Sequence, residues 1–299
     1  MISLAQWRAG GRSMQFDGHA VRLYEGGYED APPLLLLHGF PTAAWDWHKV
    51  WPELARHYRL LAPDFLGFGD SDKPTDYPYS FRAQADLCEQ ALAERGIDRY
   101  LLLAHDYGDT VAQELLARRV DRGDDRGPVA VCLLNGGIFP AAQQPTRLQR
   151  LLAGPLGPVV GLLLSRRAAE KGLAKVFGAA TRPSAEEMAG FMSLIEAGNG
   201  RRILPRLLQY LDERRRNADR WVGALTASPA PLLFIDGLLD PVSGGNMTAV
   251  WRSLLPEAGL VELAHVGHYP QVEDPAAVLE PLLGFLAAAA ATLRPGGPQ

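Results

Sequence analysis

The chain has 299 residues, of which 47% are hydrophobic and 21% are charged, and its formal net charge is −4. This length predicts one large domain or a domain with an insertion, and the composition is typical of a globular protein with a sizeable core. The mild acidity argues against nucleic acid as a partner, because phosphate binding usually requires a basic face.

Cysteine usage and apolar runs exclude further classes of protein. Cys88 and Cys132 lie in no CxxC or Cys/His cluster, so we expect neither a disulfide framework nor a zinc site, and we expect a reducing, cytoplasmic compartment. The N-terminal segment lacks the apolar core of a signal peptide. No run of about 18 uninterrupted apolar residues predicts a membrane span. The segment LLAGPLGPVVGLLL at 151–164 is broken by Gly and Pro, and we expect it to be buried or to face a pocket.

Apolar runs bounded by turn residues predict strands along the chain. In order they are AVRLYEG (20–26), PLLLLH (33–38), YRLLAPD (58–64), YLLLAH (100–105), VAVCLLN (129–135), PLLFID (231–236) and LVELA (260–264). Helical patterns lie between several of them, as at 82–96 and 109–120. Such alternation predicts an α/β fold with a mostly parallel sheet and helices on both faces.

The alternation stops in one long stretch, which divides the chain. Residues 138–228 have helical or irregular patterns, and the strand pattern resumes after them. We therefore expect a core formed by residues 1–137 and 229–299, with 138–228 inserted as a helical cap. The tail TLRPGGPQ is expected to fray, because Pro and Gly end the preceding Ala-rich helix.

The stretch from Ala104 to Gly108 has the form of a nucleophile elbow. Small residues flank a central reactive residue, here Asp106, because the strained strand-to-helix turn brings backbone segments close together. The turn lifts the central side chain clear of the sheet, and the helix that follows favours negative charge there. The alternative is an ordinary strand-to-helix turn in which Asp106 only caps the helix.

A second segment supports the elbow. The run LLLLHGFP at 34–41 ends a predicted strand and places the backbone N–H of Phe40 near the elbow. Together with the N–H of Tyr107, it would form an oxyanion hole.

Late in the chain lie candidates for a base and its carboxylate partner. The run HVGHYPQVEDP offers His265 and His268, and we prefer His268, in the turn after the last strand, with His265 structural. The run PLLFIDGLLDPV offers Asp236 and Asp240; Asp236 still lies at the strand end, so we assign Asp240. The strand that ends at Asn135 is followed by no carboxylate, and the order nucleophile, acid, histidine is that of the α/β-hydrolase fold.

These motifs resemble one branch of that fold. The elbow, HGFP, DFLGFGDSDKP (64–74) and the terminal GHYP are similar to the epoxide hydrolase and haloalkane dehalogenase branch of α/β-hydrolases. Within the branch, HDYGDTVAQELL, NGGIFP, LLQYLDERRRNADRWVGAL and HYPQVEDP resemble the subgroup of the mesoderm-specific transcript protein. The likeness covers roughly residues 30 to 275, and it implies an α/β-hydrolase core with an inserted cap.

An aspartate at the elbow changes the chemistry that the fold can perform. With an ordinary pKa of about 3.9, Asp106 is ionised at neutral pH and needs no base for attack. Attack on an ester carbonyl would give an anhydride, whereas attack on a saturated carbon that bears a leaving group gives an ordinary ester. The histidine is then free to activate water against that ester. The residues therefore indicate epoxides or alkyl halides as substrates.

The two substrate classes need different donors. Haloalkane dehalogenases, which this chain resembles, bind halide with indole or amide N–H groups, but Tyr107 and Phe40 offer no side-chain N–H. Epoxide hydrolases usually place two tyrosines in the cap, and Tyr210 matches the later one. Residues 138–190 contain no tyrosine, and Tyr107 stands where relatives carry tryptophan. Tyr107 is therefore either a second oxygen-binding group or a wall of the pocket, and Tyr210 either the ring-opening acid or cap packing.

The leading hypothesis is an epoxide hydrolase that needs no cofactor and no metal. Its catalytic residues are Asp106, Tyr210, His268 and Asp240, and its substrate is a small apolar epoxide or halide. Candidate pocket residues are Trp45, Tyr107 and Phe139, and DERRR (212–216) is expected to be a solvated helix face. The alternatives are a haloalkane dehalogenase with the same nucleophile, and a hydrolase-fold binding protein without turnover. We expect a monomer or homodimer and no membrane partner.

Overall fold

The computed structural model describes residues 1–293 and contains one eight-stranded sheet. Its strands are β1 (Gly11–Phe16), β2 (His19–Gly26), β3 (Pro33–Leu37), β4 (Arg59–Pro63), β5 (Arg99–His105), β6 (Gly127–Leu134), β7 (Leu232–Gly237) and β8 (Gly259–Leu263). The strand order is β1-β2-β4-β3-β5-β6-β7-β8, and the pairs β1–β2 and β2–β4 are antiparallel whereas the other pairs are parallel. The predicted α/β class is therefore confirmed. The tail residues 294–299 lie outside the described residues.

Helices cover the sheet and fill the connection between β6 and β7. Those of the core are α1 (Leu4–Gly10), α2 (Trp51–Leu54), α3 (Phe81–Ala93), α4 (Tyr107–Arg122), α12 (Gly245–Leu254), α13 (Pro270–Glu273) and α14 (Pro275–Ala290). Those between β6 and β7 are α5 (Arg147–Ala153), α6 (Gly157–Leu163), α7 (Arg166–Ala174), α8 (Ala185–Glu196), α9 (Gly200–Leu207), α10 (Tyr210–Arg216) and α11 (Ala218–Thr226). These seven helices form the cap.

The leucine-rich strands are buried on both faces because their side chains alternate between two cores. In β3, Leu35 and Leu37 belong to one hydrophobic cluster, while Leu34 and Leu36 belong to the other. Successive side chains of a strand point to opposite faces, so a parallel sheet with helices on both sides needs an apolar residue at nearly every position. The central strands therefore have continuous leucine runs instead of an alternating pattern.

The structure adds an N-terminal hairpin that the sequence patterns did not predict. Strand β1 pairs with β2 in antiparallel register, and only Met14 and Phe16 of β1 are buried. Helix α1 precedes it, with a capping box in which Ser3 and Gln6 bond reciprocally. Because β1 is an edge strand with a mostly polar sequence, its hydrophobic pattern is too weak to distinguish the strand from a loop.

The apolar segment 151–164 is only partly buried, so the prediction that it would be buried or line a pocket is wrong for most of its leucines. Gly157 and Gly161 of α6 are buried, and a side chain at Gly161 would meet Pro205 of α9 at about 3.0 Å. The helix packs through its small residues, and Leu162 and Leu163 on its other side are 70% and 76% exposed.

One helical stretch meets the length and hydropathy of a membrane span, although Glu280 and Pro281 interrupt its apolar run. The stretch Pro275–Leu293 has 19 residues with a mean hydropathy of 1.8. Val278, Leu282 and Leu286 of α14 are fully buried in one of the two clusters beside the sheet. Length and hydropathy alone therefore do not distinguish this helix, which packs on the core, from a membrane helix.

A large loss of stability is expected when an aromatic contact between the cap and the core is removed. Phe191 of α8 is fully buried, and its ring centroid lies 5.1 Å from that of Trp45 in the core. Phe191→Ala should lower the free energy of unfolding by about 3–5 kcal/mol, because a cavity replaces the ring. Urea unfolding measures this. The exposed Leu162→Ala is the matched control and should change stability by less than about 0.5 kcal/mol; equal effects would contradict the prediction.

Candidate active site

The strand-to-helix turn after β5 has the strained backbone of an elbow. Asp106, between His105 of β5 and Tyr107 of α4, has φ 46° and ψ −101°. This φ is in the left-handed region that non-glycine residues seldom adopt. A Cβ at Gly108 would collide with the carbonyl of Leu37, and the Gly108 N–H donates to His38 O at 3.1 Å. The small residue at this position therefore lets α4 start against β3.

The carboxylate of Asp106 is enclosed and kept ionised. Its Oδ2 accepts a hydrogen bond from the Phe40 N–H at 3.0 Å, and the residue is 4% exposed. Burial acts to raise its pKa, but the hydrogen bond and charge of His268 and the charge of Arg214 outweigh burial. The pKa of Asp106 therefore lies well below its usual range, and the group is an anion throughout the physiological pH range.

His268 lies between two carboxylates. Its Nδ1 is 2.7 Å from Asp240 Oδ2, and its Nε2 is 3.9 Å from Asp106 Oδ2. Burial acts to lower the pKa of His268, whereas the charges and hydrogen bonds of Asp240 and Asp106 raise it above its usual value. Because the Asp240 carboxylate can only accept, Nδ1 donates to it and Nε2 faces the elbow.

Asp240 is fixed as an acceptor by three further donors. Ser243 Oγ donates to its Oδ2 at 2.6 Å, Asn135 Nδ2 to the same oxygen at 3.1 Å, and the Val242 N–H to Oδ1 at 2.7 Å. Burial raises the pKa of Asp240, but His268, Ser243 and Val242 bring it below its ordinary value. The orientation of the carboxylate toward His268 is thus set before any substrate binds.

The two alternatives for base and acid lie elsewhere. Asp236 is buried within β7, and burial followed by the charge of Asp240 raises its pKa to about 9, so it carries a proton at neutral pH. Among residues 1–293 neither of its oxygens has a hydrogen-bond partner. His265 is exposed, and its Nε2 lies 2.8 Å from Asp274 Oδ2. Asp240 and His268, not these two, contact one another.

Asn135 and His105 support the site and were not singled out by sequence reasoning. Asn135 directly follows β6 and has φ 41°; its amide donates to Gly237 O at 3.2 Å and accepts from the Gly237 N–H at 2.8 Å. His105 Nε2 lies 2.7 Å from the backbone oxygen of His268. The only signal for Asn135 was its place at the end of a strand beside the elbow, since carboxyl ends of parallel strands meet at one edge.

The two candidate tyrosines meet above the elbow. Tyr210 begins α10 of the cap, is buried, and its ring centroid lies 5.4 Å from that of Tyr107 and 5.7 Å from that of Phe40. Burial and then the charge of Asp106 raise the pKa of Tyr210 above its usual value. The side chain of Gln149 bonds its hydroxyl and acts against this rise. Tyr107 is also buried, with its ring centroid 4.5 Å from that of Phe81.

Arg214 corrects the prediction that residues 212–216 form a solvated helix face. Its side chain is 1% exposed and reaches from α10 into the elbow, where Nε donates to Thr110 Oγ1 at 2.7 Å and Nη2 donates to the Asp106 carbonyl at 2.9 Å. Nη2 is also 3.8 Å from Asp106 Oδ1. Its neighbours Arg215 and Arg216 are exposed, as expected. One of three consecutive arginines is therefore part of the site.

The remaining pocket candidates occupy different surroundings. Trp45 stacks on His48 at 4.4 Å between ring centroids, and its Nε1 donates to Ile2 O, so the contacts found for it are packing contacts with cap and core. Phe139 belongs to the same cluster as Tyr107. Three surface pockets of about 250–350 Å³ lie elsewhere, and none of these three is lined by Asp106 or His268. Cap and core together enclose the reactive groups.

The fold and this constellation define the class of protein. A family model described as alpha/beta hydrolase fold matches residues 32–275, and the chain belongs to that family. It is similar to the human mesoderm-specific transcript homolog protein, 40% identical over 294 residues, which covers 95% of this chain and 88% of that protein.

Two haloalkane dehalogenases are also similar to the chain. Haloalkane dehalogenase 2 of Mycobacterium tuberculosis (strain ATCC 25618 / H37Rv) is 28% identical over 277 residues, covering 90% of this chain and 94% of that protein. The crystal structure of haloalkane dehalogenase DbeA from Bradyrhizobium elkani USDA94 superposes with a TM-score of 0.80 at 25% identity, covering 94% of this chain and 99% of that one. The chain is therefore a hydrolase-fold protein related to the haloalkane dehalogenases, as its motifs predicted.

Proposed function

We propose that the protein is a hydrolase that opens epoxides through a covalent ester on Asp106. The observation that carries the proposal is the ionised carboxylate at the strained elbow, bonded by the Phe40 N–H and facing His268 Nε2 at 3.9 Å. An anion with so low a pKa is a nucleophile without a base, which suits attack on saturated carbon. The related haloalkane dehalogenases support a small-molecule substrate.

In the first step, an oxygen of Asp106 forms a bond to an epoxide carbon and the carbon–oxygen bond of the ring breaks. The electron pair of that bond goes to the epoxide oxygen, which becomes an alkoxide. The hydroxyl of Tyr210 is the uncharged donor on the cap side, and it stabilises this oxygen by a hydrogen bond or a proton. Asp106 Oδ2 stays with the Phe40 N–H, so Oδ1 is the oxygen free to attack.

In the second step, His268 activates water against the ester. Alkylation removes the charge of Asp106, which is one of the two charges that raise the pKa of His268, so the imidazole becomes easier to deprotonate as the ester forms. The neutral Nε2 then takes a proton from water, hydroxide adds to the ester carbonyl, and Phe40 and Tyr107 N–H groups receive the oxyanion. Collapse releases the diol and restores the Asp106 carboxylate. One water proton ends on the hydroxyl released from the ester, and the water proton taken by His268 replaces the one that Tyr210 gave to the first alkoxide.

A haloalkane is the second candidate substrate, favoured by the relatives with that activity. The same two steps apply, except that the leaving atom departs as halide and a proton is released. What argues for the epoxide is the chemistry of the donors: Tyr107 and Phe40 stand where those relatives supply side-chain N–H groups, and Tyr210 supplies a hydroxyl. A protein that binds without turnover has no need for the bonded pair of His268 and Asp240.

The test is to trap the ester. His268→Gln removes the base for the second step but leaves Asp106 in place, so we expect a stoichiometric adduct after incubation with a panel of epoxides and haloalkanes. Intact mass rises by the whole mass of an epoxide, but only by that of the alkyl group, less one hydrogen, for a haloalkane. Peptide mapping should place the adduct on Asp106.

The matched control is His265→Gln, which alters an exposed histidine three residues away. This variant should turn over substrate as the wild type does and accumulate no adduct. An unchanged mass of His268→Gln across both classes would overturn the Asp106 mechanism, and thermal stabilisation by a ligand without product would favour a binding protein.

A further inference from the structure

We propose that Arg214 and Tyr210 form a binding site for a small monovalent anion, which holds the leaving halide or alkoxide oxygen during attack by Asp106. The proposal deepens the function proposed above and rests on it for its role in turnover. The site itself can be tested without any substrate. In the proposal, a cap arginine binds the leaving group, which indole N–H groups bind in the haloalkane dehalogenases that this chain resembles.

The first support is a buried charged donor without an acceptor. Within residues 1–293, Arg214 Nη1 has no hydrogen-bond partner, and the side-chain amide of Gln149 is the one group that bonds the hydroxyl of Tyr210. Leaving a buried charged N–H unbonded is costly, so such donors in a folded protein indicate an acceptor that binds there. The other guanidinium nitrogens are used, Nε by Thr110 and Nη2 by the Asp106 carbonyl.

The second support is that the two side chains are held against each other. Tyr210 and Arg214 are one helical turn apart on α10, and the guanidinium carbon lies 4.7 Å from the centroid of the Tyr210 ring. The bonds to Thr110 and Asp106 fix the guanidinium, while Gly137 leaves room for it, since a Cβ there would collide with Nη1. The guanidinium is thus pre-organised beside Asp106.

A third polar side chain lies at the same place. The side-chain amide of Gln143 lies against the same Gly137, and its Nε2 also has no partner among the described residues. Gln143 also lines a surface pocket of about 350 Å³ that Leu211 of α10 borders. The amide of Gln143 is therefore a further neutral donor beside Arg214.

The third support is the charge balance of the reaction. In the resting site, the carboxylate of Asp106, 3.8 Å away at Oδ1, is the counter-ion of Arg214. Formation of the ester neutralises that carboxylate. Asp109, the next buried carboxyl along α4, has a pKa raised well above its ordinary value by burial and by Asp106, which favours its neutral form. The negative charge that Asp106 loses passes to the leaving atom. Binding of that atom at Arg214 keeps the buried guanidinium paired with a negative charge throughout the step.

The test uses bromide as the probe. Asp106→Asn imitates the neutral ester, so its melting temperature should rise saturably with sodium bromide at constant ionic strength held with sodium gluconate. Wild type should respond more weakly, because the Asp106 charge opposes the anion. Crystals of Asp106→Asn soaked in bromide should give an anomalous peak in contact with Arg214 Nη1 and the Tyr210 hydroxyl.

Double variants decide whether Arg214 carries the binding. Asp106→Asn with Arg214→Gln should lose the bromide response, whereas the matched control, Asp106→Asn with the exposed Arg216→Gln, should keep it. If loss of Arg214 prevents folding, Asp106→Asn with Tyr210→Phe removes the other donor and should weaken binding. An Asp106→Asn protein without a saturable response, or a response that survives Arg214→Gln, overturns the proposal.

Turnover separates this inference from the proposed function. With a substrate found by trapping, Arg214→Gln should slow formation of the ester by about 10²–10³-fold, as for loss of one preorganised donor, with little effect on its hydrolysis. Bromide binding without any trapped adduct would retain the anion site and reject the proposed reaction. Trapped adducts without bromide binding would retain the proposed reaction and reject the anion site.

Discussion

Replacing Asp106 by asparagine is expected to reduce turnover by about 10⁴-fold or more, since removal of a nucleophile from a catalytic triad has effects of that order. The amide keeps the size of the side chain and an oxygen for the Phe40 N–H, so the elbow and its bond should persist. What is lost is the anionic oxygen that attacks carbon. Single-turnover measurement of ester formation should show no adduct, and intact mass should exclude conversion of the asparagine back to aspartate.

The matched control for this variant is Asp109→Asn, three residues along the same helix. The carboxyl of Asp109 is fully buried, and burial and the charge of Asp106 raise its pKa well above its ordinary value, which favours the neutral form. The amide has the same shape and no charge, so activity should stay within a few-fold of wild type. Equal losses in the two variants would show that general disturbance of α4, not the nucleophile, is responsible.

The second large effect is expected from Asp240→Asn. The amide has one acceptor oxygen where the carboxylate has two: with that oxygen on the Val242 N–H, its NH2 group faces His268 Nδ1 and leaves the imidazole in the wrong tautomer, a change that costs about 10⁴-fold in other triads. Because Asp106 needs no base, the ester should still form, and the rate of its hydrolysis should fall. Rapid-quench mass spectrometry separates the two steps and should show the adduct accumulating.

Asp236→Asn is the control, since Asp236 is a neighbouring buried carboxyl that carries a proton, its pKa being raised to about 9. Its hydrolysis rate should remain within a few-fold of wild type. If Asp236→Asn stalled at the ester and Asp240→Asn did not, the assignment of the two carboxyls would be reversed. Both variants should keep their melting temperatures close to that of the wild type for the comparison to apply.

Much of the core follows from the sequence because its signals are local. The leucine runs of β3 and β5 predict buried parallel strands, and their observed bounds differ from the predicted ones by one residue. The elbow is equally local: Gly108 must lie against the backbone of β3, and only a small residue can do so. The chain order of Asp106, Asp240 and His268 matches the fold, and the structure brings these three together.

The parts that the sequence did not reveal depend on which side of an element faces the core. Arg214, Arg215 and Arg216 are consecutive and chemically alike, but successive helix residues point about 100° apart, so only the packing of α10 selects Arg214 for the elbow. The same is true of α6, where two glycines face Pro205 and the leucines face outward. Composition cannot distinguish these orientations.

The sequence by itself determined the class of fold, the elbow and the aspartate at its centre. These features depend on which residues stand at fixed short spacings along the chain, so local sequence is enough to predict them. The tertiary structure decided the charges and partners of those groups: the depressed pKa of Asp106, the bonded pair of His268 and Asp240, and the cap arginine beside the nucleophile. Burial and contacts between distant segments set these properties; Arg214 and Asp106, for example, lie 108 residues apart in the chain.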